Sequence, residues 1–265
     1  MPTGQFSAKL SKKMQIKTTK AKKHFGQNFL TNTKVLEQIF SAAEIKPKDN
    51  ILEIGPGTGN LTQLLSKACP NYLGLEVDLS LEKHLKDYNV SFMDALEFRV
   101  DLHHKGYKLI ANIPYYITSP ILNHYLMQPS IHKTVIPERM ILMVQKEVAE
   151  KICNPQKTSF LQTSIKAVAD SEYLFTVPAT DFDPKPKVDS AIIKITPKTN
   201  IPTEIDLKKF LGFLKVCYSK PRKKLKNNLK NYHPIIESLN SEYFQSRPEE
   251  LELKNFIELF KQIFN

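Results

Sequence analysis

The chain has 265 residues, 41% hydrophobic and 25% charged, long enough to bury a core without disulfides or a structural metal. Its three cysteines, Cys69, Cys153 and Cys217, are far apart and form no Cys/His cluster at ligand spacing, which excludes stapled mini-domains, gives no metal site and favours a reducing compartment. No apolar run approaches the ~20 residues that cross a bilayer, and the basic N-terminus has no hydrophobic signal segment, so a cytoplasmic chain with no membrane partner is expected.

In chain order, the first feature is charge. Of the formal +11, seven lysines fall within residues 1–24 and nine basic residues within 208–230, and neither stretch contains an acid. What remains is mildly acidic, so two basic attachments flank the body, and a polyanion is the partner that would use both. Residues 1–22 lack hydrophobic periodicity and are expected to be a disordered arm. Strand patterns follow at 50–54, 72–77, 90–93, 108–111 and 140–144, alternating with turn segments and helical spacing. The turn Gly55-Pro56-Gly57-Thr58-Gly59 leads into a helix over 60–68, and helical patterns run through Glu147, Val148 and Ile152 and over 160–169. Segments 172–177 and 191–196 flank a Pro-rich loop as the strands of a hairpin would. After Pro197 the spacing is helical only, at 207–218, 224–231 and 253–264. The fold expected is α/β, a Rossmann-like, mostly parallel doubly wound sheet, with a small all-α C-terminal domain. The divisions expected are a basic arm 1–22, an α/β domain 23–199 and a helical nucleic-acid-binding domain 200–265.

Only eight glycines occur, yet Gly55, Gly57 and Gly59 lie within five residues between a strand and a helix. Such a turn lets a ligand approach the backbone closely. Glu76 lies 19 residues after Gly57, where doubly wound sheets place an acid on ribose hydroxyls. The spacing is G-x-G-x-G rather than the dinucleotide G-x-G-x-x-G, and Pro56 removes one N–H from the loop. A phosphate-free cofactor therefore suits it, and S-adenosyl-L-methionine, with a ribose, an adenine and no phosphate, is the cofactor expected. Asp94, just past the third strand, is placed to accept from the adenine amine; its structural alternative is a helix N-cap.

After the fourth strand comes Asn112-Ile113-Pro114-Tyr115, at the edge of the sheet where ligands bind. An exocyclic adenine amine is a poor nucleophile because its lone pair is delocalised. Two acceptors, the Asn112 side-chain oxygen and the Ile113 backbone carbonyl, would hold both its hydrogens and favour a pyramidal nitrogen, while Pro114 fixes the backbone and Tyr115 stacks on the base. A strongly shifted general base is unnecessary, so orientation and proximity carry the catalysis.

These residues, with His24-Phe25-Gly26-Gln27-Asn28-Phe29-Leu30, Gln145 to Glu150, Phe182 to Ser190 and Lys220 to Leu229, resemble the KsgA group of S-adenosylmethionine-dependent adenine dimethyltransferases of small-subunit ribosomal RNA. The resemblance runs from about Lys22 to the end of the chain. It implies N6,N6-dimethylation of two adjacent adenosines in the 3′-terminal hairpin loop of 16S rRNA, by a monomer acting on an immature small ribosomal subunit. It also implies that Asn28 and Leu30 close over the cofactor, that Gly55 and Gly57 line it, that Glu76 takes its ribose and Asp94 its adenine, and that Asn112 joins cofactor to target. Phe182 would stack on the target base opposite Tyr115; its structural alternative is a core aromatic. Lys220, Arg222, Lys223, Lys224 and Lys226 would meet RNA phosphates. Tyr116 stands where an Asn is common in the group. Two other readings stay open: a large-subunit adenine methyltransferase of the macrolide-resistance type, and a non-catalytic RNA-binding assembly factor on the same fold.

Overall fold

The computed structural model describes residues 14–22, 25–100, 106–132, 134–154, 158–199, 205–232 and 242–264. In chain order the elements are β1 (Phe29–Leu30), α1 (Thr33–Ala43), β2 (Ile51–Ile54), α2 (Thr62–Ala68), β3 (Tyr72–Glu76), α3 (Glu82–Leu85), β4 (Val90–Phe92), β5 (Lys108–Asn112), α4 (Thr118–Leu122), α5 (Gln128–His132), β6 (Arg139–Gln145), α6 (Lys146–Cys153), α7 (Phe160–Val168), β7 (Ala169–Val177), β8 (Phe182–Asp183), β9 (Ser190–Pro197), α8 (Leu207–Cys217), α9 (Leu225–Asn228) and α10 (Leu253–Phe264).

Contacts divide the chain into two units, residues 1–149 with 172–197, and residues 150–171 with 198–265. The first unit is built on a seven-stranded sheet of order β4-β3-β2-β5-β6-β9-β7. Strands β2 to β6 are parallel and β9 runs antiparallel to β6. Strand β2 is buried along its whole length, as a parallel strand covered on both faces must be. The chain winds outward from β2 through β3 to β4, then returns to place β5 on the other side of β2. That reversal makes the β2/β5 crevice the switch point of the sheet, and the register Ile54↔Ala111 brings Gly55 beside Asn112 there.

Three features differ from the sequence reading. Helix α1, capped by Asn32, whose side chain accepts from the Lys34 N–H, buries Val35, Leu36, Ile39 and Phe40 in a stretch where no element was expected. A second, two-stranded sheet pairs β1 with β8 antiparallel, Leu30 opposite Phe182, and the Asp181 carbonyl accepts from the Thr31 N–H at 2.9 Å. Within the arm expected to be disordered, residues 14–22 are docked. The Lys17 N–H donates to Asn60 Oδ1 at 2.9 Å, and Asn60 Nδ2 returns a bond to the Lys17 carbonyl at 3.1 Å. Gln63 donates to the Gln15 carbonyl, and Met14 packs on the core. Side-chain amides substitute for a pairing strand, which hydrophobic periodicity cannot signal. Residues 1–13 lie outside the described residues.

The second unit is helical. The expected boundary near 199 left α7 with the sheet, whereas residues 150–171 group with 198–265. The Tyr218 hydroxyl explains the grouping, bonding Thr158 at 2.7 Å and Thr163 at 2.9 Å. Phe210, Phe213, Phe256 and Phe260 fill the core of this unit, with Phe210 and Phe260 in edge-to-face contact at 5.4 Å. Ser159 caps α7 and Asp206 caps α8, satisfying N–H groups that the first helical turn leaves open.

Candidate active site

A cavity of about 240 Å³ opens over the switch point of the first unit. Its lining includes Asn28 and Leu30 from the segment before α1, Gly55 and Gly57 after β2, Glu76 at the end of β3, Asp94 after β4 and Asn112, Pro114 and Tyr115 after β5. All the residues the sequence reading assigned to cofactor and target thus face one space, apart from the basic block at 220–226.

The glycine turn explains how a ligand reaches the backbone. Gly55 has φ +74° and Gly57 φ +59°, the left-handed region that other residues resist. A Cβ at Gly57 would sit 3.1 Å from the Phe29 ring, and one at Gly55 would sit 3.0 Å from the Asn112 carbonyl. Side chains here would fill the cradle between β2 and the segment that covers it. Glu76 anchors the turn, accepting from the Gly57 N–H and the Asp78 N–H, each at 2.9 Å. Burial pushes its carboxyl up, and those backbone donors partly oppose the rise. Beneath the turn, Glu53 Oε2 accepts from the Tyr72 hydroxyl at 2.5 Å and the Thr62 hydroxyl at 2.7 Å. Full burial outweighs both bonds and raises the Glu53 carboxyl to about 7.

Asp94 is exposed at the rim, and its Oδ1 accepts from the Leu96 N–H at 2.8 Å. It therefore makes the cap-like bond of the structural alternative while still lining the cavity. The Asn112 side chain lines the cavity and makes no hydrogen bond among the described residues, so its donor and acceptor are unspent. Tyr115 is half-buried, its hydroxyl tied to Ser190 Oγ at 2.8 Å, which fixes the ring. Phe182 is only 6% exposed and packs in the cluster that holds Leu30, and it also lines the cavity. In the second unit, Lys220, Arg222, Lys223, Lys224 and Lys226 are all exposed, the first four in the turn between α8 and α9 and Lys226 in α9.

Sequence reasoning passed over a latch beside this site. The Asp78 carboxylate, 2% exposed, accepts from Lys22 Nζ at 2.7 Å, Gln27 Nε2 at 2.8 Å and both the N–H and hydroxyl of Ser80. Burial opposes its charge, yet the Lys22, Ser80 and Gln27 bonds prevail and hold it down at about 2. Gln27 Oε1 in turn accepts from the Lys22 N–H at 2.8 Å, so one carboxylate fixes the start of the cavity-lining segment to the end of β3. The readable signal was Asp78-Leu79-Ser80, a cap pattern; the partners 51 and 56 residues away were not readable.

A doubly wound sheet with a phosphate-free glycine turn, a buried acid at the next strand end and an Asn-Ile-Pro-Tyr loop defines an S-adenosylmethionine-dependent methyltransferase. The cradle over Gly55 and Gly57, which side chains would obstruct, and the acids Glu76 at the end of β3 and Asp94 after β4 fit that cofactor. Over residues 18–263 the chain matches the family described as ribosomal RNA adenine dimethylase. It is 37% identical over 257 residues to ribosomal RNA small subunit methyltransferase A of Mycoplasma mobile, covering 91% of this chain and 98% of the relative. To the protein of the same name from Fusobacterium nucleatum it is 38% identical over 263 residues, covering 91% and 97%. Among solved structures, a dimethyladenosine transferase from Plasmodium falciparum superposes with a TM-score of 0.72 at 27% identity, covering 88% of this chain and 98% of that one. The 23S rRNA methyltransferase ErmE shares the fold, with a TM-score of 0.68 at 22% identity over 90% of this chain and 100% of its own. The chain belongs to the ribosomal RNA adenine dimethylase family and is an S-adenosylmethionine-dependent rRNA methyltransferase.

Proposed function

We propose that the chain converts two adjacent adenosines in the 3′-terminal hairpin loop of 16S rRNA to N6,N6-dimethyladenosine, acting as a cytoplasmic monomer on immature small subunits. The observation that carries the reaction is Asn112-Ile113-Pro114-Tyr115 at the switch point, its amide unspent, beside a glycine turn that admits a cofactor. The choice of small subunit is supported by the names of the relatives at 37% and 38% identity, and the cytoplasm by the buried thiols of Cys69 and Cys217.

S-adenosylmethionine supplies an electrophilic methyl group when bound. Glu76 would accept from its ribose hydroxyls, Asp94 from its adenine amine through the oxygen that Leu96 leaves open, and Asn28, Leu30, Gly55 and Gly57 would enclose the rest. The Asn112 side-chain oxygen and the Ile113 carbonyl would each accept one N6 hydrogen of the target, drawing the nitrogen toward a pyramidal shape with its lone pair directed at the methyl group. Tyr115, held by Ser190, would stack on the base, with Phe182, which lines the same cavity, stacking opposite it. The amine becomes acidic only once methylated, and its proton leaves to solvent. Lys220, Arg222, Lys223, Lys224 and Lys226 would neutralise RNA phosphates.

The latch at Asp78 is read as holding Asn28 and Leu30 in place over the cofactor. Asp78→Asn should weaken S-adenosylmethionine binding about tenfold by calorimetric titration, since the buried carboxylate that accepts from Lys22, Gln27 and Ser80 loses its charge and one acceptor oxygen; unchanged affinity would remove the latch from the account. The site of modification is tested by mapping reverse-transcription stops on small-subunit RNA after incubation with enzyme and cofactor. Two adjacent stops in the 3′ hairpin loop are expected, and stops confined to large-subunit RNA would instead support the macrolide-resistance reading.

A further inference from the structure

We propose that Tyr116 is the stacking platform for the nucleotide next to the target adenosine, and so selects which RNA loop the site accepts. The inference rests on the reading that a single-stranded adenosine enters at Asn112. Residues Tyr115–Ile117 form a 3₁₀ turn, in which successive side chains diverge by about 120°. Two consecutive tyrosines therefore face different ways. Tyr115 turns inward to Ser190, while Tyr116 is 66% exposed at the cavity rim and makes no hydrogen bond among the described residues.

The exposed ring is not loose. Gly26, at φ +63°, lies so close that a Cβ there would be 3.5 Å from Tyr116 Cε1 and 3.4 Å from the Pro114 Cβ. The Gly26 backbone thus lies beside the Cδ1–Cε1 side of the ring, and most of the ring is open to solvent. A large aromatic left this open adds little to the core; what it offers is a supported π face with two side-chain torsions to fix. A base drawn out of its stack into the site leaves its neighbour at the cavity mouth, where this face is presented. Base stacking on an aromatic contributes ~1–3 kcal/mol per base, which corresponds to about 5- to 150-fold in RNA affinity.

The test measures the first methyl transfer to a short RNA hairpin carrying the target loop, with wild type, Tyr116→Ala and Tyr116→Phe. Tyr116→Ala should raise KM for RNA at least about fivefold, with kcat and the Kd for S-adenosylmethionine unchanged, and Tyr116→Phe should behave as wild type because the ring and not the hydroxyl stacks. RNAs with an abasic nucleotide on the 5′ or the 3′ side of the target should weaken wild type on one side only, and that loss should vanish in Tyr116→Ala. A wild-type KM in Tyr116→Ala, an altered cofactor Kd, or equal abasic losses in both proteins would overturn the assignment. If the wild type methylates neither this hairpin nor unmodified small subunits, the proposed function itself falls; where only subunits are methylated, the same comparison is made on subunits reconstituted with the intact or abasic RNA, and an active wild type with an unaffected Tyr116→Ala overturns the platform alone.

Discussion

Asn112→Ala is expected to lower kcat for methyl transfer by about 10²–10³-fold, the scale on which one preorganised polar contact to a reacting centre counts. Its KM for RNA and its Kd for S-adenosylmethionine should move by less than about tenfold. The reasoning starts from the substrate. An adenine N6 lone pair is delocalised into the ring, so methylation needs the nitrogen held pyramidal and aimed, and the contribution lies in orientation more than in proton transfer. Asn112 ends β5, opposite Met143 of β6, and its carbonyl lies against Gly55, so its backbone position is set by the sheet and survives truncation of the side chain. Single-turnover methyl transfer with saturating cofactor separates the two effects, and full activity in the variant would refute the acceptor role.

Replacing Lys220, Arg222, Lys223 and Lys224 together by Gln should reduce the log–log salt slope of RNA binding by about 3, at ~0.7–0.9 per phosphate neutralised. Near 0.1 M salt that corresponds to a loss of two to three orders of magnitude in affinity. All four side chains are exposed, and the turn that carries them is held by the Lys223 N–H on the Lys220 carbonyl and by Asn228 Nδ2 on the Cys217 and Lys220 carbonyls. The fold therefore does not depend on these charges, and the cofactor Kd should be unchanged. Filter binding or anisotropy from 50 to 300 mM salt checks it, and an unchanged slope would mean that the block does not meet RNA.

What the sequence revealed followed the reach of its signals. Strands β2, β3, β5 and β6 are short apolar runs between turn residues, and each was legible to within two residues of its observed ends. The glycine turn and the Asn-Ile-Pro-Tyr loop were legible as chemistry because their residues are contiguous. Helix α1 carried a readable pattern, Asn32 followed by Val35, Leu36, Ile39 and Phe40, and was passed over beside a basic arm. The β1/β8 pair was not legible: two residues on each strand meet across about 150 positions of chain, too short for a period and too far for a turn. The same distance hid Lys22, Gln27 and Asp78 as one latch, and hid Tyr218 as the partner that draws 150–171 into the helical unit. Phe182 shows the limit of motif reading, since its place beside the cavity was foreseen but its burial with Leu30 depends on a pairing that no local pattern encodes.

The central claim is tested most directly by transfer of labelled methyl groups from S-adenosylmethionine to unmodified small ribosomal subunits and, separately, to large-subunit RNA, followed by identification of the labelled nucleoside. The account predicts N6,N6-dimethyladenosine in the small subunit and none in the large. Label confined to large-subunit RNA, or RNA binding with no label in either, would contradict it.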